Sequence, residues 1–221
     1  MPQRIQSDMT MTRVIIIRHG ETEWNAINRE QGQLDSPLTA KGIGQAERVA
    51  RRLSSAGATA LYTSDLGRAE YTARIIGAAT GLTLRLDPRL RERHMGVFQG
   101  LTPTESDQRY PQERVAYRTD DTYVIPGGES GQQRADRAFA CLEELAVRHP
   151  DETVIVVTHG GLLMGIVERT LGLPAGAARR FRKRNTAINV FSRDPSGWRL
   201  ESWGDVAHLN ETALSAYASQ P

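Results

Sequence analysis

One cysteine stands in 221 residues. A single thiol excludes an intrachain disulfide and fits a reducing, cytoplasmic compartment. Cys141 lies in the helical pattern RAFACLEELA, where a small core residue is expected rather than a nucleophile. Long hydrophobic runs are also missing: the apolar stretches are strand-sized, and the opening MPQRIQSDMTMTR holds none. No signal peptide and no membrane association are therefore expected. Excess charge of either sign is lacking too. Lys and Arg number 28 against 26 Asp and Glu, a net +2, and the two signs are interspersed, so nucleic acid is not an expected partner. The one dense basic run, Arg179-Arg180-Phe181-Arg182-Lys183-Arg184, is expected as a solvated helix end or loop, with an anionic ligand as the competing reading. Repeats, low-complexity tracts and carboxylate-rich clusters suited to magnesium or zinc are not seen.

What is present is an ordinary globular composition, 39% apolar and 24% charged, enough for a sizeable core. Val14–Ile17 and TVIVVT (153–158) are short β-branched runs of the kind that fill strands buried on both faces. TALYTS (59–64), LTLRL (82–86), AINVFS (187–192) and WRLESW (198–203) read as further strands. Helical spacing recurs between them. Ile43, Ala46, Val49, Ala50 and Leu53 share one face; DLGRAEYTARIIGAATG closes at Gly81; a helix from Glu129 carries Ala135, Ala138, Phe139, Leu142, Leu145 and Ala146; LLMGIVERTLG follows the second clear strand. Strands alternating with helices predict a three-layer α/β/α sandwich around a mainly parallel sheet. Residues 1–12 are expected as a flexible tail. Residues 13–221 are expected as one catalytic domain, with a cap insertion of short helices at about 101–128.

In such sheets ligands gather at the carboxyl ends of the strands. VIII ends in Arg18-His19-Gly20, with Gly20 expected to let the backbone turn closely under a ligand. TVIVVT ends in His159-Gly160-Gly161 at a helix N-terminus, a natural anion site. TALYTS leads to Arg68 in the first turn of its helix. A lone strand-end histidine is more often structural. Two histidines and two arginines at three strand ends instead read as an oxyanion site, for a phosphoryl group above all, because the arginine fork donates paired bonds to phosphate.

The stretch RHGETEWN resembles the signature of the histidine phosphatase superfamily, in the branch similar to cofactor-dependent phosphoglycerate mutase. GQLDSPLTAKG, YTSDLGRAEYTA, LRERHMGVFQGL, PGGES, VVTHGG and RNTAIN follow in the family's order, and the resemblance covers roughly residues 13 to 209. It implies that His19 attacks phosphorus and carries the phosphoryl group, while Arg18, Arg68, His159 and the backbone at Gly160 and Gly161 hold the equatorial oxygens. Asn25, Gln31 and Gly32 match ligand-contact positions. Glu92 matches the general acid and base, expected to be protonated for the first step. Arg93 and His94 are given no role. No metal is implied, and the expected partner is a small phosphorylated metabolite, with a homodimer as the family's precedent.

Phosphatase and mutase share that phosphohistidine. A mutase must hold a bisphosphorylated intermediate away from water, which asks for extra cations about a closed pocket. Here 27 residues separate Gly100 from Gly128, and Arg109, Arg114 and Arg118 alternate there with acids. Met95 stands where mutases carry a tyrosine, and Gly161 where they carry an asparagine. Leu162-Leu163-Met164 departs from the arginine that many phosphatases have after HGG. The expectation is a phosphomonoesterase with no cofactor; the alternative is a phosphoglycerate mutase primed by a bisphosphoglycerate. A binding module with a crippled site is the third possibility, against which stands the complete set Arg18, His19, Arg68, Glu92 and His159.

Overall fold

Val14–Ile17 and Val154–Val157 are buried to within 2% exposure because they lie side by side in the middle of a sheet covered on both faces. The computed structural model describes residues 10–174 and 176–210. Among them run β1 (Thr12–Arg18), α1 (Glu23–Ala26), α2 (Ala40–Leu53), β2 (Ala60–Thr63), α3 (Gly67–Thr80) and β3 (Leu84–Leu86). The cap helices α4 (Pro103–Arg109) and α5 (Pro111–Thr119) come next, then α6 (Gly131–Arg148), β4 (Thr153–Thr158), α7 (Gly160–Leu171), β5 (Ile188–Asp194) and β6 (Gly197–Asp205). The strand order is β3-β2-β4-β1-β5-β6. The pairings β1–β4, β2–β3 and β2–β4 are parallel, and β1–β5 and β5–β6 antiparallel. The expected mainly parallel α/β/α architecture is what is found.

The period-2 geometry of a strand divides each apolar run between the two faces. Val14, Ile16, Tyr62, Val154 and Val156 pack with Ala138, Leu142 and Leu145 of α6 and Leu162, Leu163 and Ile166 of α7. Ile15, Ile17, Leu61, Ile155 and Val157 pack with Val49, Ala50 and Leu53 of α2 and Ala69, Ala73 and Ile76 of α3. Cys141 is fully buried in the first of these cores, as expected, and burial pushes its thiol up to about 12.

Strand β1 starts at Thr12, inside the stretch expected as a tail, because the Thr12 hydroxyl is buried and donates to the carbonyls of Ala146 (3.0 Å) and His149 (2.8 Å). Of the rest of that stretch, the Met11 amide donates to Asp151 Oδ1 at 2.8 Å, and residues 1–9 lie outside the described residues. Within residues 101–128, expected as a cap, α4 and α5 are two short helices, and Met95, Phe98 and Ile125 are buried against Tyr110, Tyr117 and Tyr123.

Candidate active site

Because β1, β2 and β4 are mutually parallel, their carboxyl ends meet at one edge, with Arg18 opposite Thr158 and Thr63 opposite Val157. The next residues of each strand, His19, Ser64 and His159, therefore converge. The His19 and His159 rings lie 5.1 Å apart, and the His159 Nε2 meets the Ser64 hydroxyl at 2.9 Å. A cavity of about 170 Å³ opens there, lined among others by Arg18, His19, Arg68, Glu92 and Gly161.

His19 is 2% exposed, and its Nδ1 lies 2.8 Å from the Gly20 carbonyl. A carbonyl can only accept, so Nδ1 carries the proton and Nε2 keeps its lone pair. Burial first, and then the positive charges of Arg68 and Arg18, hold the His19 pKa well below 6.5, so the ring is neutral. In the resting site that lone pair accepts from Arg68 Nε at 3.3 Å. His159 is fully buried and its pKa is likewise held well below 6.5, by burial and then by Arg68. Its Nδ1 has no partner. The Ser64 hydroxyl, which also accepts from the Leu66 amide at 3.2 Å, occupies Nε2, so Nδ1 is the ring nitrogen left open to a ligand.

The two arginines are held differently. Arg68 is 2% exposed and most of its fork is committed: Nη1 donates to the Leu34 carbonyl and to Asp35 at 2.8 Å each, and Nη2 to the Gly32 carbonyl at 2.7 Å. Asp35 offsets a buried charge that would otherwise be costly. Arg18 donates from Nη1 to the Lys183 carbonyl at 2.5 Å, and its Nε is buried with no partner. Desolvation pulls Arg18 down to about 10, opposed by Glu92 and reinforced by Arg68; it remains a cation at neutral pH.

Glu92 caps the pocket from the loop before the cap. Its Oε2 accepts from the Gly161 amide at 2.7 Å and its Oε1 from its neighbour's amide, Arg93, at 2.8 Å. Burial alone would raise its pKa. The two amides, then Lys183 and Arg68, outweigh that and hold it below the usual 4.5. The free site therefore carries an ionised Glu92; the protonated acid expected for the first step belongs to the site with a phosphate bound. Its carboxylate occupies the very amide of the α7 N-terminus that was assigned to a phosphate oxygen.

A family model, the histidine phosphatase superfamily (branch 1), matches residues 14–206. The chain belongs to that superfamily. A curated relative, probable phosphoglycerate mutase GpmB of Serratia proteamaculans (strain 568), is 44% identical over 92% of this chain and 98% of its own. The protein of that name in Salmonella paratyphi C (strain RKS4594) is 43% identical over 92% and 98%. Among solved structures, Bacillus stearothermophilus YhfR superposes with a TM-score of 0.84 at 32% identity over 90% of this chain and 99% of that one. The mycobacterial glucosyl-3-phosphoglycerate phosphatase Rv2419c with VO3 gives 0.78 at 37%, over 87% and 98%.

Against this histidine phosphatase frame, Arg18, His19, Asn25, Gln31, Gly32, Arg68, Glu92 and Gly161 all line the cavity. His159 touches it through the His19 ring, and Gly160 leaves room beside Arg18, whose Nε an added Cβ would meet at 3.3 Å. Asn25 and Gln31 are largely spent on the loop: Asn25 Oδ1 accepts from the Thr22 amide (3.3 Å) and Asn185 (3.2 Å), and Gln31 Nε2 donates to the Thr22 hydroxyl at 2.9 Å. Gly20 serves packing, not a ligand, since a Cβ there would stand 2.5 Å from the Gly42 carbonyl oxygen of α2.

Several cavity residues have no site role assigned from the sequence. Lys183 belongs to the basic run, which is exposed as expected, and it lines the pocket as well, in keeping with the competing reading of an anionic ligand. Arg93, given no role, is 4% exposed, lines the pocket and stacks 4.8 Å from the Tyr117 ring. Arg29 and Arg134 also reach it. Asn185, from RNTAIN, donates to the His19 carbonyl at 2.8 Å and fixes the loop that carries the nucleophile. No group of three or more potential metal ligands occurs among the described residues. Nor is any described helix long and apolar enough to cross a membrane.

Proposed function

We propose that the protein is a phosphomonoesterase that transfers the phosphoryl group of a small organic phosphate to His19 and then to water. The observation that carries the reading is the state of His19: neutral, Nδ1 anchored on a carbonyl, Nε2 facing the arginines in a buried pocket. A bound phosphoryl group draws Arg68 Nε off that lone pair, which then attacks phosphorus in line. The Nε2–P bond forms as the ester P–O bond breaks. Arg18 and the unpartnered Nδ1 of His159 supply donors to the equatorial oxygens, and these fixed donors favour the transition state without reorganisation. The leaving oxygen takes a proton from Glu92, which then removes one from the water that attacks phosphohistidine.

Glu92 is ionised in the free site, so its proton arrives with the substrate. A phosphate monoester has a second pKa of about 6, and its monoanion can deliver that proton to the carboxylate it meets at Gly161. The incoming oxygens then compete for the Gly161 amide, weakening one bond that keeps Glu92 acidic.

Mutase action is the second reading, and the cations Arg29, Arg93, Arg134 and Lys183 around the pocket favour it. The cap speaks for hydrolysis. Arg114 is tied to Glu30 (2.9 Å) and Asp107 (3.0 Å), Arg118 to Asp107 (2.8 Å), and Arg109 is exposed. None of these three lines the cavity. The test is phosphate release against isomerisation of 3-phosphoglycerate, with and without a bisphosphoglycerate primer. Phosphate release without isomerisation supports the hydrolase. Rapid primer-dependent isomerisation with little free phosphate refutes it. His19→Ala should lose turnover by at least a thousandfold and form no acid-labile phosphoenzyme; appreciable residual turnover would show that another group is the nucleophile.

A further inference from the structure

Glu129 of the PGGES stretch and Arg137, eight residues further on, do not line the phosphoryl cavity, yet both close on the loop that carries Glu92. That loop, residues 91–95, belongs to no helix or strand, so its backbone groups need partners from elsewhere. Side chains supply them. Arg137, on α6, donates from Nη1 to the carbonyls of Arg89 (2.8 Å) and Arg91 (2.7 Å), and from Nη2 to that of Glu92 itself (2.9 Å). The carbonyl it passes over, Leu90, accepts from the Thr158 hydroxyl at 2.8 Å. The Glu92 carbonyl accepts a second bond, from Gln33 Nε2 at 3.2 Å. Four successive carbonyls are thus taken, three of them by one guanidinium.

Glu129 aims that guanidinium. Its Oε1 accepts from Arg137 Nη2 at 2.5 Å and its Oε2 from Nε at 3.1 Å, so all five N–H groups of Arg137 are in use. The same Oε1 accepts from the His94 amide at 2.9 Å, and the Glu129 amide donates to the His94 carbonyl at 3.1 Å. The two loops touch through backbone. A Cβ on Gly128 would stand 2.4 Å from the His94 carbonyl oxygen. The charges that chiefly act on the Glu92 carboxyl are those of Lys183 and Arg68, while Arg137 and Glu129 neutralise each other. What the pair contributes to Glu92 is therefore position. Proton transfer needs the carboxyl within hydrogen-bond reach of the leaving oxygen, and its contact with the Gly161 amide, at 2.7 Å, lasts only while the loop stays in place.

We propose that Arg137, aimed by Glu129, is a positioning residue for the general acid: it fixes the backbone of residues 89–92 so that the Glu92 carboxyl stands over the phosphoryl site. This rests on the phosphoryl-transfer reading above and gives the PGGES stretch its part in that reaction.

Arg137→Met removes the donors and keeps most of the stem. Its kcat on glycerol 3-phosphate should fall about 10- to 100-fold, the size of a misplacement of about 1 Å, with KM nearly unchanged. On p-nitrophenyl phosphate, which needs little help from an acid, the loss should be about threefold or less. In Glu92→Gln protein no acid is left to position, so adding Arg137→Met should cost about threefold or less again. Arg137→Lys should recover part of the loss. Glu129→Gln should show the same pattern at smaller size, and it carries the test if Arg137→Met does not fold. Equal losses on both substrates, or losses that multiply with Glu92→Gln, would make Arg137 a general support of the fold and overturn the proposal.

A carbon-13 NMR titration of the Glu92 carboxyl, its signal identified by loss in Glu92→Gln, needs no turnover. In Arg137→Met it should shift upward, as the carboxylate slips from the Gly161 amide that lowers it. An unmoved titration overturns the positioning role whichever reaction the enzyme performs. An upward shift in a protein that releases no phosphate from either monoester keeps that role and sinks the hydrolase. Phosphate release with an unmoved titration does the reverse.

Discussion

Gly161→Ala perturbs the site without removing any of its functional side chains. An added Cβ would lie against the Glu92 carboxylate, 3.0 Å from Cδ and 3.1 Å from Oε2. Carbon atoms pack best at about 3.5–4.0 Å, so the carboxylate must retreat by about 0.5–1 Å and give up the 2.7 Å bond from the Gly161 amide. The backbone at Gly161 is ordinary helix, not left-handed, and alanine is the better helix former there. The fold should therefore be no less stable. A displacement of about 1 Å can cost on the order of 100-fold, and general acid catalysis is worth about 10²–10⁴-fold. Glycerol phosphate turnover should fall about 100-fold. Turnover of p-nitrophenyl phosphate, whose leaving group scarcely needs a proton, should fall tenfold or less. Loss of the amide also removes one of the bonds that depress the Glu92 pKa, so that pKa should rise. The assay is steady-state phosphate release on both substrates beside a thermal melt. Glycerol phosphate turnover within threefold of wild type, at an unchanged Tm, would refute the claim that the Glu92–Gly161 contact positions the acid.

Glu92→Gln keeps the shape and removes the exchangeable proton. It should slow alkyl phosphates about 100-fold or more and p-nitrophenyl phosphate far less, and equal losses would count against Glu92 as proton donor. Stability should fall as the medium is acidified from pH 7.5 to 5. His19 and His159 have folded pKa values well below 6.5, and burial lowers His208 as well, so the unfolded chain binds up to two more protons at the two site histidines below that point, with His208 adding in the same direction. The limiting slope is about 2.7 kcal/mol per pH unit; Glu30, whose pKa burial raises, works weakly the other way. Urea unfolding that is flat or strengthens over this range would show that the histidines titrate freely. Gly42→Ala should destabilise by about 1–3 kcal/mol, since its Cβ would press on the Glu21 carbonyl and lie 2.8 Å from the Glu21 nitrogen. A urea midpoint equal to wild type would mean that α2 shifts freely away from the nucleophile loop.

The layers of the fold were legible because burial on both faces leaves little choice of residue. VIII and the VIVV of TVIVVT have no polar position to misread, and the same runs mark where each strand runs out, at Arg18 and just before His159. From there the site follows from direction alone: parallel strands end at one edge, so residues just past them meet whatever their distance in the chain. His19 and His159 are 140 positions apart in sequence and 5.1 Å apart between ring centroids. Gly20 was placed correctly and explained wrongly. Sequence shows that a side chain is missing, but not whether the space is filled by a ligand or, as here, by the backbone of α2 at Gly42.

Lys183, Arg93 and Arg134 were illegible for a different reason. Each sits in a local pattern that water would satisfy equally well: a basic run, a charged loop, the polar face of GQQRADR. A long cation keeps its head several ångströms from its backbone, so its address is set by what it can reach rather than by where it is attached. Arg134 belongs by periodicity to the polar start of α6, yet it is 7% exposed because α7 is bare at Gly165 and the guanidinium lies across that gap. Two glycines of one helix thus divide the pocket. Gly161 offers its amide to Glu92, and Gly165, one turn on, offers room to a cation from the neighbouring helix. The apolar Leu162-Leu163-Met164 between them is compatible with a charged pocket because α7 supplies backbone and space, while loop 183 and α6 supply the charge.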